Sequence, residues 1–244
     1  MKSLVPDEVH NVADRLARAY PYIKRRKEGE GVFSDTPLAG LVRAILSQNT
    51  NDRNRDAAFN ALRAHFSDWA AVAAAPTEAV AEAIHPTNYA ITKAGRIQAI
   101  LRELQAERGE ITLDFLRTRP TPEVLVYLQH FPGVGVKSAS VVCLFTLGRP
   151  VVPVDTHVFR VTQRLGWIGD ITPERAHSVL QEIIPPELVL PLHMGLWEHG
   201  RLTCRPVPHC AVCPIHAYCL FPGKTAPAPP VEEAIAYHAM REAR

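Results

Sequence analysis

Short amphipathic segments, each preceded by a capping residue, recur along the 244-residue chain and predict an all-α fold. In TPLAGLVRAILSQN, apolar side chains follow the i, i+3, i+4, i+7, i+8 spacing of one helix face. These side chains are Leu38, Leu41, Val42, Ile45 and Leu46. Thr36 is placed to cap this helix, with Pro37 at its first position. Further caps are expected at Ser67, Thr77 and Thr172. Alternating runs long enough for a sheet are absent, so about ten or more short helices are expected.

Length and charge bound the protein without assigning it a partner. The 244 residues suffice for one large or two smaller domains, and the formal net charge is +2. A charge this small does not indicate nucleic-acid binding, which therefore has to be argued from local features. No apolar run approaches the ~20 residues that cross a bilayer, and the N-terminus shows no signal-peptide core. We expect no membrane partner and a cytoplasmic location, nucleoid-associated if the source is bacterial.

Four of the five cysteines crowd into one short segment with the pattern C-x5-C-x2-C-x5-C. The four are Cys204, Cys210, Cys213 and Cys219. Without a secretory signal, this grouping indicates a metal site more than a disulfide framework. Zinc usually takes two close cysteine pairs, and only the central two form one, so four thiolates on a compact loop favour a 4Fe–4S cluster over zinc. The histidines nearby (His199, His209 and His216) are expected at the surface or behind the ligands, and Cys143 is expected to be a small buried side chain.

A glycine turn followed by a lysine lies between two predicted helices at FPGVGVKSAS (131–140). Gly133 and Gly135 carry no Cβ, so the N–H groups of the turn can converge on a phosphate beside the next helix N-terminus. Lys137 lies in the first turn of that helix, where the helix dipole disfavours a cation. Either the lysine points into solvent and does little, or this position activates it. Asp155 precedes a second amphipathic helix as its N-cap.

Three motifs together resemble one enzyme family. FPGVGVKSAS followed by PVDTHVFRV is similar to the helix-hairpin-helix and catalytic aspartate segments of the endonuclease III family of DNA glycosylases. The four cysteines fall where that family has its iron–sulfur loop, and ILSQNTND (45–52) resembles its early helix and following loop. The likeness spans about residues 30 to 220, with the motifs in the family's order. The first cysteine gap is one residue shorter than the family's usual pattern.

The resemblance implies a bifunctional DNA glycosylase and AP lyase that acts, as a monomer, on duplex DNA with oxidised pyrimidines or abasic sites. Lys137 would attack the sugar's anomeric carbon as a neutral amine, and the resulting Schiff base would permit β-elimination. Partial burial and the helix N-terminus are expected to favour that neutral form. Asp155 would stabilise developing positive charge and help move a proton. The alternatives are a monofunctional mismatch glycosylase that activates water, and a non-catalytic DNA-binding module.

The resemblance also points to DNA contacts and to a domain division. Besides the hairpin glycines, Gln48, Asn49 and Tyr89 are candidates to fill the gap left by a flipped base. The basic run KRRK (24–27) is more often a solvated surface than a phosphate site. We expect a six-helix-barrel-type domain with the hairpin at 30–149, a cluster domain at 1–29 plus 150–220, and a linker and tail at 221–244. The end of this tail, VEEAIAYHAMREAR, either forms a short helix or stays frayed. Lys137 and Asp155 are expected to face each other across the intervening cleft.

Overall fold

A computed structural model describes residues 6–21 and 36–241 of the chain, so the KRRK run lies outside the described residues. This part of the chain contains twelve α-helices, a few 3₁₀ turns and no β-strand, which confirms the predicted all-α class. The helices are α1 Pro6–Ala19, α2 Pro37–Leu46, α3 Asp52–His65, α4 Trp69–Ala74, α5 Thr77–Ala83, α6 Ala90–Arg108, α7 Thr121–Gln129, α8 Val136–Phe145, α9 Thr156–Leu165, α10 Pro173–Ile183, α11 Val189–Leu202 and α12 Val231–Arg241. The 3₁₀ turns are Asp114–Arg117, Pro186–Leu188, Cys210–Val212 and His216–Tyr218.

Helix capping follows the sequence at three of the predicted positions. The Thr36 hydroxyl accepts a hydrogen bond from Ala39 N at 3.3 Å, and Thr172 and Asp155 cap α10 and α9 in the same way. The other two predictions are wrong. Asp68 rather than Ser67 caps α4, because a carboxylate oxygen is the stronger acceptor for the orphan N–H groups.

The other failed cap is Thr77, which is the first residue of α5 rather than the residue before it. Its hydroxyl donates to Gln98 Oε1 at 2.7 Å on α6. The amide of the fully buried Gln98 in turn donates to Val72 O at 2.9 Å and Ala75 O at 2.7 Å. Because a buried polar side chain needs hydrogen-bond partners, the Thr77 hydroxyl bonds the buried Gln98 amide and does not cap a helix.

The chain divides into two compact units, Phe33–Arg149 and Met1–Val32 together with Pro150–Arg244. In the first unit, α6 packs against α4 and α5, while α2 packs against α3 and α8. Helices α2 and α8 approach so closely that a Cβ on Gly40 would lie 2.2 Å from Thr146 Oγ1. The core of this unit is aliphatic, with Leu41, Ile45 and Leu101 fully buried. This packing holds the end of α2 beside the start of α8, where the hairpin residues lie.

In the second unit, α11 packs against α1 and α9, and α1 also packs against α12. Trp167 is fully buried and donates from Nε1 to Glu8 Oε1 at 2.9 Å. The segment 221–244, expected as a linker and tail, therefore contains a helix that packs on α1, with Ala234 and Ile235 buried. Across the described ranges, no helix has both the length and the apolar character to cross a membrane.

Candidate functional site

The glycine turn connects α7 to α8 and has two chemically different glycines. Gly133 has φ 77°, a conformation that favours glycine, and a Cβ there would lie 2.7 Å from Arg96 Cδ, so the arginine side chain would have to move. Gly135 has φ −89° and nothing within 4 Å of the position of a Cβ. The buried Phe131 anchors the turn, and its carbonyl accepts from Val134 N at 3.1 Å. The space beside Gly135 is therefore open to a ligand, next to the unpaired N–H groups at the start of α8.

Lys137 is the second residue of α8 and borders an open, polar cavity of about 530 Å³ that lies within the first unit. We call this cavity the hairpin pocket; its lining consists of Gln48, Asn49, Arg96, Gln129, Phe131, Gly133, Val134, Gly135 and Lys137. The side chain of Lys137 is exposed, so the predicted partial burial is wrong. Phe131 and Val134 line the same pocket, yet they leave Lys137 exposed. Its proximity to the helix N-terminus remains.

Gln48 and Asn49 have different environments, although they are neighbours in the sequence. The Gln48 side chain donates to Gly133 O at 2.9 Å and to Ser138 Oγ at 3.3 Å. Arg96 of α6 donates to Gln48 Oε1 at 3.3 Å. Gln48 therefore holds the hairpin and the start of α8 through two hydrogen bonds and is itself held by Arg96. Asn49 is exposed, has φ 52°, and its side chain makes no hydrogen bond to a described residue. Of the two, Asn49 is the one whose side chain is exposed and not hydrogen-bonded to a described residue.

Tyr89 also lies in an exposed, left-handed position. Its φ is 59°, it directly precedes α6, and 68% of its surface is accessible. Ile91, two residues on, is 53% exposed. Tyr89 is therefore not a core side chain packed under the following helix, because most of its surface is open. An exposed aromatic ring beside an exposed aliphatic side chain is suited to stacking on bases.

Asp155 lies in the second unit and caps α9 through one carboxylate oxygen only. Oδ1 accepts from His157 N at 2.8 Å and from Val158 N at 2.7 Å, while Oδ2 accepts no hydrogen bond from a described residue. The side chain is half-buried. The cap thus fixes the direction of the carboxylate and leaves Oδ2 able to interact with a ligand. His157, in the first turn of the same helix, has Nδ1 3.1 Å from Arg160 Nη2.

All four cysteines of the cluster motif line one small cavity of the second unit. Cys204 and Cys210 are buried, and Cys213 and Cys219 are half-buried. Burial raises the pKa of the Cys204 thiol, and the Arg164 guanidinium, which donates to its Sγ at 3.2 Å, opposes this rise. A cationic donor of this kind favours the thiolate form that a metal ligand requires.

These cysteines fit an extended cluster better than a single ion. One tetrahedral zinc, with Zn–S bonds of about 2.3 Å, would draw four thiolates to within about 4 Å of one another. Among the described residues, no three His, Cys, Asp or Glu side chains gather closely enough to hold one metal ion. The four thiols nevertheless line one small shared cavity. Four cysteine thiolates are the donor set that a 4Fe–4S cluster takes, so the residue chemistry is compatible with one.

Of the nearby histidines, His199 is fully buried behind the cysteines rather than at the surface. Its Nε2 lies 3.7 Å from Cys213 Sγ and its Nδ1 lies 2.9 Å from the Tyr20 hydroxyl. Burial, followed by the nearby His238 and Arg160, lowers the pKa of His199 to about 3. The neutral ring can therefore donate from Nε2 toward the sulfur while Nδ1 accepts from the tyrosine.

Three comparisons with known proteins agree with this arrangement. Residues 42–186 match the model of the HhH-GPD superfamily base excision DNA repair proteins. Endonuclease III of Thermotoga maritima is 30% identical over 87% of this chain and 92% of its own length. A protein of Arabidopsis thaliana whose name describes it as a DNA glycosylase, At3g47830, is 40% identical over 69% of this chain, which spans only 58% of that protein.

The solved structure of a trapped endonuclease III–DNA covalent intermediate superposes with a TM-score of 0.72 and 26% identity, covering 88% of this chain and 96% of that one. With the helical fold, the hairpin and the match over more than half of its length, the chain belongs to the HhH-GPD superfamily of base excision DNA repair proteins. Within that superfamily, its near full-length likeness is to the endonuclease III family.

Sequence reasoning identified the hairpin, the amine and carboxylate candidates and the cysteines, but missed the residues that brace them. Ser138 is hydrogen-bonded to Gln48, and Arg164 to Cys204. Tyr20 is hydrogen-bonded to His199, whose other ring nitrogen lies beside Cys213. No local signal reveals such partners, because the tyrosine and His199 are separated by 179 residues and Gln48 and Gly133 by 85 residues.

Proposed function

We propose that this protein is a bifunctional DNA glycosylase and AP lyase that removes oxidised pyrimidines from duplex DNA and cleaves the resulting abasic site. The observation that carries this proposal is the exposed side chain of Lys137 in the lining of the hairpin pocket, two residues from Gly135, beside which there is open space. A lysine here can reach a sugar whose phosphate is held by the turn. The trapped covalent DNA complex of endonuclease III supports a covalent step in the same fold.

The chemistry begins when the neutral Lys137 amine attacks C1′ of the flipped nucleotide and the C1′–N bond to the base breaks. The amine gives up a proton, which passes to the departing base. The sugar ring opens to an imine, loss of a C2′ proton breaks the C3′–O bond, and the 3′ phosphate leaves. Water then hydrolyses the imine and regenerates the lysine. A duplex lying over the open pocket would exclude water from the amine.

Asp155 supplies the negative charge that this reaction needs. With Oδ1 committed to two backbone N–H groups, Oδ2 is the oxygen that stabilises the positive charge developing on the sugar and accepts protons. This role needs a carboxylate, whereas capping needs only an oxygen acceptor. The two roles can therefore be separated by the substitution Asp155→Asn, because asparagine caps helices as well as aspartate does.

We further propose that Cys204, Cys210, Cys213 and Cys219 hold a 4Fe–4S cluster. When bound, the cluster links four points of the loop through iron–thiolate bonds and so stabilises a segment with few buried apolar side chains. Arg164 and His199 would direct hydrogen bonds at two of the sulfurs. A purified protein that is brown, absorbs in the visible and contains iron supports this assignment; a colourless protein with stoichiometric zinc overturns it.

Borohydride trapping tests the catalytic proposal. Wild-type protein, which we expect to be a monomer, is incubated with borohydride and duplex DNA that contains thymine glycol or an abasic site. The reduced protein–DNA adduct is then separated by electrophoresis. We expect an adduct for the wild type and for Lys224→Gln, an exposed lysine outside the pocket, and none for Lys137→Gln. Base release without an adduct would indicate instead a monofunctional enzyme that activates water. Neither adduct nor release on these substrates would leave only DNA binding.

The Asp155 variants complete this test. We expect Asp155→Asn to fold with unchanged stability while base release slows by about 10²–10⁴-fold. Asp155→Ala should slow the reaction equally and also lower the free energy of unfolding by about 1 kcal/mol, because the cap is lost. Equal activity of Asp155→Asn and the wild type would remove the aspartate from the mechanism.

A further inference from the structure

Two residues of the described chain, Asn49 and Tyr89, are the non-glycine positions with positive φ. The left-handed region is unfavourable for L-residues, moderately for asparagine and more for a bulky aromatic. Such strain persists only where the surrounding structure imposes it, and it concentrates at functional positions. Both strained residues are ones that the sequence selects as candidates to fill a gap in DNA.

The side chains of these two residues do not explain their backbone conformation. Asn49 makes no side-chain hydrogen bond to a described residue, and Tyr89 is 68% exposed, with no described ring in contact with its own. No hydrogen bond or ring contact of these two side chains within the described chain accounts for the left-handed backbone. Both side chains are instead exposed, where a ligand outside the protein can reach them.

The neighbouring group that connects the two positions is the side chain of Asn88. Its Nδ2 donates to the carbonyl oxygen of Asn49 at 2.5 Å, across 39 residues of sequence. Beneath it, the buried Lys93 donates from Nζ to Leu46 O at 2.9 Å, which joins the first turn of α6 to the end of α2. The hydrogen bond from Asn88 to Asn49 is exposed, and an exposed hydrogen bond between neutral groups adds little to stability. Its effect is on position.

We infer that Asn88 is a positioning residue that couples the two gap-filling loops, so that Asn49 and Tyr89 enter the DNA as one unit. Asn49 would occupy the space left by the flipped nucleotide, and Tyr89 would wedge between bases with Ile91 behind it. This inference rests on the proposed function, because it presumes a flipped nucleotide. It adds a residue that contacts neither the hairpin nor Lys137, and whose role is to fix the spacing between the two inserted side chains.

The test is a double-mutant cycle on DNA with 2-aminopurine beside a tetrahydrofuran abasic analogue, read by fluorescence, together with single-turnover cleavage of a true abasic site. Asn88→Ala removes the link, and Asn88→Asp places a carboxylate that cannot donate against the Asn49 carbonyl. We expect both to reduce the fluorescence change and to slow cleavage by about tenfold. The matched control Asn60→Ala, on an exposed face of α3, should change neither. The melting temperatures of all variants should agree.

The Tyr89→Ala background shows whether Asn88 acts through the wedge. We expect Asn88→Ala to lose most of its effect there, because the element it positions is gone. An equal loss in both backgrounds would show that Asn88 acts elsewhere, and no loss in either would show that the link is idle; each overturns the inference. A wild type that neither cleaves nor changes 2-aminopurine fluorescence would instead refute the proposed function itself, and the inference with it.

Discussion

The hairpin pocket and the cysteine loop (Cys204–Cys219) differ in how completely their polar groups are paired. In the hairpin pocket, Lys137, Asn49 and Gly135 face open space, and the backbone around them is partly strained. Around the cysteine loop, donors and acceptors are paired with one another, often over long sequence separations. The two regions therefore differ in what their polar groups can do, since the pocket keeps groups available for a ligand, whereas the polar groups around the loop are satisfied within the protein.

The pairing around the cysteine loop extends through three helices. The buried Tyr20 hydroxyl lies 2.9 Å from His199 Nδ1 and 3.1 Å from Thr203 Oγ1. His238 of α12 lies 3.2 Å from the same threonine hydroxyl and 2.9 Å from Val212 O in the loop itself. This chain of contacts runs from α1 through α11 to α12, so the N-terminal and C-terminal helices both help to hold the loop.

The segment after the last cysteine adds a second set of contacts. The Thr225 hydroxyl donates to Pro208 O at 2.8 Å and lies 3.4 Å from Cys210 N, and His216 Nε2 lies 3.1 Å from Ala226 O. The residues expected as a linker and tail therefore wrap the cysteine loop and end in a helix on α1.

The largest effect on the cysteine loop should come from ending the chain after Phe221, which removes many of the contacts that hold the loop. The truncation removes α12 with its buried Ile235 and His238, so we expect the free energy of unfolding to fall by more than about 3 kcal/mol. Iron, if bound, should be lost faster to a chelator. Chemical denaturation and the iron-to-protein ratio measure both. Glu232→Gln, which breaks only an exposed ion pair with Arg18, is the control and should change little. Unchanged stability after truncation would show that the C-terminal helix is dispensable.

A smaller loss is expected from Tyr20→Phe. The substitution keeps the ring but leaves His199 Nδ1 and the Thr203 hydroxyl without their shared partner, which should cost about 1–3 kcal/mol. Urea unfolding followed by circular dichroism measures this. The control Tyr127→Phe removes an exposed hydrogen bond to Glu107 and should cost less. If the two variants are equally stable, the buried network does not stabilise the loop.

Paired glycine substitutions sharpen the contrast from the side of the hairpin pocket. Gly133→Ala introduces a Cβ at φ 77° and against Arg96, so a loss of about 1–2 kcal/mol of stability is expected. Gly135→Ala has ordinary φ and open space, so stability should stay within about 0.5 kcal/mol while affinity for abasic-analogue duplex falls. Thermal unfolding and fluorescence anisotropy separate the two effects. Undiminished DNA affinity of Gly135→Ala would mean that no ligand approaches this turn closely.

The smallest expected effect is a pH dependence due to Lys93. Burial lowers the pKa of Lys93 to about 8 from 10.5. Between these values the unfolded chain binds a proton that the folded protein has released, so stability rises with pH over this window. From pH 8 to pH 9, the rise should be about 1 kcal/mol larger in the wild type than in Lys93→Met. Urea unfolding at both pH values measures it, with Lys224→Met as the exposed control. Parallel curves for wild type and Lys93→Met would contradict the assignment.

Some features of the fold and site follow from sequence because their causes are local. The caps at Thr36, Thr172 and Asp155 involve N–H groups two or three residues away, and the predicted burial of Cys143 follows from its apolar helix. The glycine turn and the cysteine pattern are equally local. The failures at Ser67 and Thr77 arise where a neighbouring or distant partner competes for the same hydrogen bonds.

By itself, the sequence determined the helical class, three helix starts, the hairpin and the grouping of four thiols, since each depends on residues a few positions apart. Only the tertiary structure decided that Gln48 braces the hairpin while Asn49 stays exposed, that Lys137 is open to solvent, and that Asn88 joins two loops. Burial and hydrogen bonding depend on which segments meet in space, and those segments are separated by 39 residues for the loop link and 85 for the hairpin brace. Hydrophobic periodicity and motif spacing do not predict contacts between segments so far apart in the sequence.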